Sequence, residues 1–377
     1  NTSVGNFAHL KTDRKNLKSF ESLPGVEYIE PNWVIQLDHT LASQNKKAKG
    51  LQDPRFEDQW GLKNTGDNSG SWWSSGKPGE DVNAEEAWQV TKGDEEVVVA
   101  VIDTGVDATH PDIKGNAWVN RVERDGVEGV DDDGNGFVDD VHGYNFVKDE
   151  GDPMDGHGHG THCAGVIGAS HNQSGVAGVM DNVKIMGLKF LSDSGRGETK
   201  DAIKAIDYAI QNGADVLSNS WGGGEYSQAL KDVIEKANEE GIVFVAAAGN
   251  SYADNDSTDS YPANYKVDNI VSVGAMNGKG KKANFSNYGD ESVHVFAPGV
   301  DILSSVPGSR YKEMSGTSMA CPFVSGGIGL LLASEPNLTP KDVRQRVMET
   351  AVRNGELGSY TLSGRMDVYR MLSNLVE

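Results

Sequence analysis

The six residues Val97-Val-Val-Ala-Val-Ile102 carry no polar side chain, and the run stops at Asp103-Thr-Gly105. A strand reads as a continuous apolar run when both faces of its sheet are covered, and as an alternating one when a face meets water. Comparable runs recur at 183–188, 216–219, 242–248 and 270–273. Between them, 200–212 and 228–240 carry helical periodicity, each followed by a glycine, Gly213 or Gly241, suited to the left-handed turn that closes a helix. Strand and helix in alternation predict a parallel sheet covered on both sides. Chemically active side chains are then expected just past strand carboxyl ends.

Composition narrows the function. The 377 residues hold 34 basic and 56 acidic side chains, a net charge of -22, which disfavours nucleic acid and anionic membranes as partners. Two cysteines, Cys163 and Cys321, are too few for a disulfide framework and are expected to pack as small hydrophobes. No unbroken run of 18 apolar residues occurs, and the start at Asn1 fits an export signal already removed.

Three short segments carry groups suited to acyl transfer. In Ala100-Val-Ile-Asp-Thr-Gly-Val-Asp107 a carboxylate, Asp103, ends a buried strand. In Asp155-Gly-His-Gly-His-Gly-Thr-His-Cys-Ala-Gly165 histidines open a small-residue helix, and in Ser315-Gly-Thr-Ser-Met-Ala-Cys321 a serine stands where a loop becomes a helix. Acyl transfer to serine needs a base within hydrogen-bond reach and an acid that fixes and stabilises the imidazolium. A helix amino terminus behind Ser318 favours developing negative charge. A fourth segment, Phe244-Val-Ala-Ala-Ala-Gly-Asn250, ends a strand with an amide able to serve an oxyanion. Singly, each has an ordinary reading: Asp103 as a turn residue, Thr317 or Ser318 as a helix cap, His157, His159 and His162 as a zinc cluster. Zinc hydrolases want an acidic residue where Thr161 stands, and no Gly-x-Gly-x-x-Gly follows the first strand to suggest a nucleotide-dependent oxidoreductase.

In the order Asp, His, Asn, Ser, the four segments resemble those of the subtilase family of serine peptidases, from about Asp53 to the carboxyl terminus. The resemblance implies a three-layer α/β/α subtilisin-like domain with a mostly parallel sheet over residues 51–377, and a serine endopeptidase working through an acyl-enzyme on protein or peptide substrates. It implies that Asp103 orients the histidine, that His159 is the general base, that Ser318 is the nucleophile and that Asn250 donates to the oxyanion. Ser220, Trp221 and Gly222 would line a cleft that binds an extended substrate strand by strand, with Gly249 beside it. Ser260 would lie at the base of the primary specificity pocket, leaving room for a medium or large side chain. Phe323 and Cys321 depart from the family pattern, which usually has histidine and threonine there, and this bears on packing more than chemistry. A catalytically retired binding protein on the same fold is the alternative, although every triad residue is present.

Calcium is the expected cofactor. Asp131-Asp-Asp-Gly-Asn-Gly-Phe-Val-Asp-Asp140 offers donors at Asp131, Asp133, Asn135, Phe137, Asp139 and Asp140 among turn-forming glycines, without the glutamate of an EF-hand at its twelfth position. The resemblance also implies a structural calcium site from the side chains of Asp53, Asp112 and Asn172 and backbone oxygens near Ser170, Ser174 and Val176. The segment Gly25-Val-Glu-Tyr-Ile-Glu-Pro-Asn32 resembles the end of a subtilase propeptide. Residues 1–50 are therefore expected to be a small α+β propeptide remnant and linker, with 26–35 as an edge strand, acting as an intramolecular inhibitor until self-cleavage between about Leu37 and Gly50. The expected product is a secreted monomer.

Overall fold

The apolar runs become the middle of a seven-stranded, wholly parallel sheet. The computed structural model describes residues 5, 7–12, 17–37, 41–43, 53–68 and 75–376. The strands are β1 (Val34–Gln36), β2 (Leu41–Ser43), β3 (Gly93–Asp103), β4 (Gly143–Asn145), β5 (Asn182–Lys189), β6 (Arg196–Glu198), β7 (Val216–Asn219), β8 (Val243–Ala247), β9 (Ile270–Met276), β10 (Val295–Pro298), β11 (Ile302–Val306) and β12 (Arg310–Ser315). The helices are α1 (Leu17–Glu21), α2 (Ala84–Ala87), α3 (Arg121–Asp125), α4 (His159–Gly168), α5 (Thr199–Gln211), α6 (Gln228–Glu239), α7 (Thr317–Ser334), α8 (Pro340–Glu349) and α9 (Val368–Leu372).

The large sheet has the order β10-β9-β8-β7-β3-β5-β4. From β3 the chain builds first toward β4 and β5 and then, on the other side, toward β7 through β10, so the order reverses beside β3. A crevice forms where the strand order of an open parallel sheet reverses, outside the carboxyl ends. Asp103 ends β3 at that place.

Period-two alternation within the apolar runs divides the core between the two faces. Val97, Val99 and Val101 join one cluster with residues of α4, α7 and α8, whereas Ala100 and Ile102 join a second with α5 and α6. Helices thus cover both faces, a three-layer α/β/α domain. The glycines after α5 and α6 hold φ of 71° at Gly213 and 82° at Gly241. The helix α7 is apolar enough along 18 residues to match a membrane span by length and composition, but 83% of it is buried in the protein as the central core helix.

The expected edge strand over 26–35 is a correction. Only Val34–Gln36 is a strand, and it pairs antiparallel with β6 rather than adding to the large sheet. Pro31 supplies no amide to a ladder, and residues 22–33 carry no strand. The other described strand of this leader, β2, pairs antiparallel with β12. The remaining residues of 38–50, where self-cleavage is expected, lie outside the described residues.

Candidate active site

Three elements converge past the end of β3. His159 is the first residue of α4 and, like Asp103, is almost fully buried. Its Nδ1 stands 2.8 and 2.9 Å from the two Asp103 carboxylate oxygens. Burial pushes the imidazole pKa down, but the Asp103 charge and hydrogen bond, with Asp155 behind them, outweigh it, and the net direction is up from the ordinary value of 6.5. The zinc reading of the histidines finds no support in this geometry. Nδ1 of His159 is committed to Asp103, and His162 Nε2 lies 2.9 Å from the Ile302 carbonyl and 3.0 Å from that of Lys312.

Ser318 is the second residue of α7. Pro322, four residues on, has no amide hydrogen for the Ser318 carbonyl, so that oxygen is left to other donors. It accepts from Ser220 Oγ at 2.9 Å and from Cys163 Sγ at 3.4 Å. In return Ser318 Oγ donates to the Ser220 carbonyl at 2.9 Å, while His159 Nε2 is buried without a hydrogen bond. Both cysteines are buried, Cys163 against the serine helix and Cys321 within it. Burial pushes the Cys321 thiol up to about 11 and that of Cys163 well above its ordinary value. Phe323 is buried over Gly61, where a Cβ would stand 2.4 Å from the ring.

Asn250 follows β8. Its Oδ1 accepts from the Thr317 amide at 2.8 Å and the Thr317 hydroxyl at 3.0 Å, which fixes the amide plane against the start of the serine helix. Ser220, Trp221 and Gly222 leave β7, and Trp221 is buried with its ring 4.9 Å from that of Phe190. Gly249 has a φ of 111°, and a Cβ there would stand 3.3 Å from Ser260 Oγ; one on Gly222 would stand 4.0 Å from the same hydroxyl. Ser260 thus lies between the 220–222 and 248–250 segments.

Asp155 was not singled out by sequence reasoning, though it is the knot of the site. Its buried carboxylate accepts from Thr104 Oγ1 and from the amides of His157 and Gly158 with one oxygen, and from the amide and hydroxyl of Thr161 with the other. Thr104 Oγ1 accepts in turn from the Gly160 amide. The loop after Asp103 and the start of α4 are so tied together. An aspartate just before a glycine-rich helix start was the available signal.

Residues 30–37 pack along elements beside this site. β1 faces β6 with Ile35 opposite Gly197, and the Leu37 amide donates to the Gly195 carbonyl at 2.9 Å. Ile35 and Leu37 are buried in the second core cluster, whereas Val34 and Gln36 face solvent. Before it, Glu30 accepts from Ser227 Oγ and from the amides of Gln228 at 2.7 Å and Ala229 at 3.3 Å, at the start of α6. Asn32 Oδ1 accepts from the Lys200 amide at 2.9 Å and the Trp33 carbonyl from that of Thr199 at 3.0 Å. The helix α5 has no side-chain cap from its own preceding residue, so these leader groups satisfy amides that a helix start leaves open.

The two candidate cation sites differ. Asp53 Oδ1 accepts from the amides of Asn172 and Ser174, and Asp112 Oδ2 from that of Val176 at 3.1 Å, so the 170–176 loop wraps both carboxylates. Asp112 Oδ1 and Ser170 Oγ are buried without a hydrogen bond. Burial pushes both carboxyl pKa values up, and no basic side chain pairs with either among the described residues. Two buried carboxylates without an ion pair, one of them with an orphan oxygen, fit a hard cation. In the 131–140 loop, Asp131 is spent on the amides of Gly134, Asn135 and Gly136, and Asp139 on that of Gly129. Phe137 packs its ring against Tyr144, Phe146 and Tyr208. The oxygens that come together there are those of Asp133, Asp140 and Glu123, within 4.8 Å of one another, with Asn135 Nδ2 bonded to both aspartates. Glu123, from α3, was missed because it precedes the loop in sequence.

Residues 94–365 match the profile of the subtilase family. The chain is 35% identical over 358 residues to the thermophilic serine proteinase of Bacillus sp. (strain AK1), covering 95% of this chain and 75% of that protein. It is 40% identical over 261 residues to subtilisin DY of Bacillus licheniformis, covering 69% of this chain and 85% of the relative. With subtilisin-like protease 1 of Plasmodium berghei (strain Anka) it shares 35% over 306 residues, covering 76% of this chain and 51% of that one. Architecture, site geometry and sequence agree that the chain belongs to the subtilase family of serine endopeptidases.

Proposed function

We propose that the chain is a calcium-stabilised serine endopeptidase made as a self-processing precursor, with Asp103, His159 and Ser318 as its triad and Asn250 as the oxyanion donor. The observation that carries this reading is the buried Asp103–His159 pair, Nδ1 at 2.8 and 2.9 Å from the carboxylate, set against the helix whose second residue is Ser318. For attack, the Ser318 hydroxyl exchanges the Ser220 carbonyl for His159 Nε2, which takes its proton. Asp103 holds the ring in the tautomer that exposes Nε2 and stabilises the imidazolium. His159 then returns the proton to the leaving amine, and water releases the acyl-enzyme by the same steps reversed. Asn250 Nδ2 and the start of α7 meet the charge on the tetrahedral oxygen. Ser220, Trp221, Gly222 and Gly249 would form the substrate wall, with Ser260 at the base of the primary pocket.

Residues 1–50 are read as a propeptide remnant and linker, and 51–377 as the peptidase domain. Support comes from β1 pairing with β6 and β2 with β12, the strand that leads into Ser318. A leader so seated occupies the substrate's place and inhibits until it is cut. Bound at Asp53, Asp112, Asn172 and the backbone oxygens of Ser170, Ser174 and Val176, or at Glu123, Asp133 and Asp140, calcium would neutralise buried carboxylates and brace their loops. Subtilases are typically secreted, and secretion is proposed for this chain.

The test is casein hydrolysis by the purified chain and by Ser318→Ala, with the amino-terminal mass followed in parallel. Activity and leader loss that both vanish in the mutant support the reading. A wild type as inert as the mutant after its leader is removed would favour a retired binding protein.

A further inference from the structure

Facing β1, strand β6 carries a cation whose place in the register is specific. Arg196 is exposed at the start of β6, directly opposite Gln36 of β1. Its Nε donates to Gln36 Oε1 at 2.5 Å, and Gln36 Nε2 donates to the carbonyls of Gly195 at 3.2 Å and Ser194 at 3.4 Å. Among the described residues the guanidinium has no carboxylate of its own: Glu198 pairs with Lys200, and Asp193 with Lys189. Of three consecutive leader residues, Ile35 and Leu37 are held by burial, and the outward one between them is held by Arg196.

We propose that Arg196 is a specificity-determining residue of this endopeptidase. It selects substrates with a carboxamide or carboxylate at the solvent-facing position between two inward-facing aliphatic residues, ahead of the scissile bond. The proposal rests on the reading of β1 as an occupant of the substrate cleft. A guanidinium can bond a carboxylate through two parallel N–H groups, so glutamate should be taken better than the glutamine present in the leader. Lysine there would meet a like charge. The pair is exposed, so the gain is modest: about threefold to fivefold in kcat/KM for glutamate over alanine, and on the order of tenfold for glutamate over lysine.

The experiment uses peptides covering residues 33–52 with Glu, Gln, Ala or Lys at position 36, cleaved by the full chain after it has lost its leader and by the Arg196→Glu chain. Wild type should rank them Glu, Gln, Ala, Lys, and Arg196→Glu should place Lys above Glu. Equal rates for Glu and Lys in wild type, or one common factor for all peptides in the variant, overturn the proposal. A further peptide with glycine at 35 and 37 tests the underlying reading separately. If it is cut as fast as its parent, β1 is no guide to bound substrate and the proposal falls with it. Leader loss gives a second readout within the intact chain: Gln36→Lys should slow it, and Gln36→Lys with Arg196→Glu should restore it.

Discussion

His159 is where burial and charge compete most directly. Its imidazole is almost fully enclosed, which favours the neutral ring, yet Asp103 and Asp155 carry it above the ordinary value of 6.5. The base must be neutral to accept the serine proton, so leader loss should fall as pH is lowered through the raised pKa, with its midpoint above 6.5. Stability has the opposite sense: the imidazolium pair contributes fully below 6.5, and the contribution is lost as pH rises through the folded value. Asp103→Asn removes the charge that raises the pKa. The acid limb should then move down while the rate falls on the order of 10⁴-fold, because the amide no longer fixes the productive tautomer. A pH–rate profile of leader loss in both chains checks this, and an unchanged midpoint in the variant would refute the coupling. For Asn250→Ala a loss of about 10²–10³-fold in kcat with little change in KM is expected, a magnitude that is subtilisin's own rather than one calculated for this chain. Equal losses in kcat/KM through KM alone would make Asn250 a substrate-binding group instead.

The elements that announce themselves locally were legible: β3, β5, β7, β8 and β9 as apolar runs, and α5 and α6 from periodicity and closing glycines. Their alternation gave the layered sheet. The places of Asp103 and Asn250 were legible because each closes or follows such a run, and that of Ser318 because a small-residue helix follows it. What could not be seen were pairings that join distant residues through backbone groups alone. The β1–β6 register spans some 160 residues and leaves no composition signal, and the Asp155 knot is written in amides and hydroxyls. Glu123 escaped because its carboxylate turns away from its own helix to accept from the amides of Asp132, Asp133 and Asp139. The leader's grip on α5 and α6 has the same hidden character and an energetic consequence. A carboxylate at a helix start stabilises by about 0.3–1 kcal/mol, up to ~2 when partly buried. Glu30→Ala in the uncut Ser318→Ala chain should therefore loosen the leader by about 1 kcal/mol. An added protease of unrelated specificity should clip residues 1–37 several times faster. Clipping at the wild-type rate would mean that burial of Ile35 and Leu37 alone holds the leader down.

At the scale of the molecule, a net charge of -22 works against compactness unless some of it is neutralised locally. The acidic residues are not spread evenly: Asp53 and Asp112 share one enclosed loop, and Glu123, Asp133 and Asp140 another, with burial pushing the Asp112 and Asp140 carboxyl groups toward the neutral form. The second group is better satisfied, since Asn120, Asn135 and Tyr208 already donate to Asp140. The first leaves Asp112 Oδ1 unbonded. Calcium should therefore contribute more through the Asp53–Asp112 loop. At a hundredfold excess over its dissociation constant one bound ion adds about 2.7 kcal/mol, which at this chain length is a rise in Tm of roughly 3–4 °C. Chelation should lower the Tm of the Ser318→Ala chain by that amount or more, and Asp112→Ala should lower it beforehand and remove most of the chelator response. Glu123→Gln should remove less. If chelation leaves that Tm in place, the protein's own hydrogen-bond donors hold both acidic loops. The orphan oxygen of Asp112 would then be an unrelieved cost of burial, and Asp112→Asn should stabilise the chain instead.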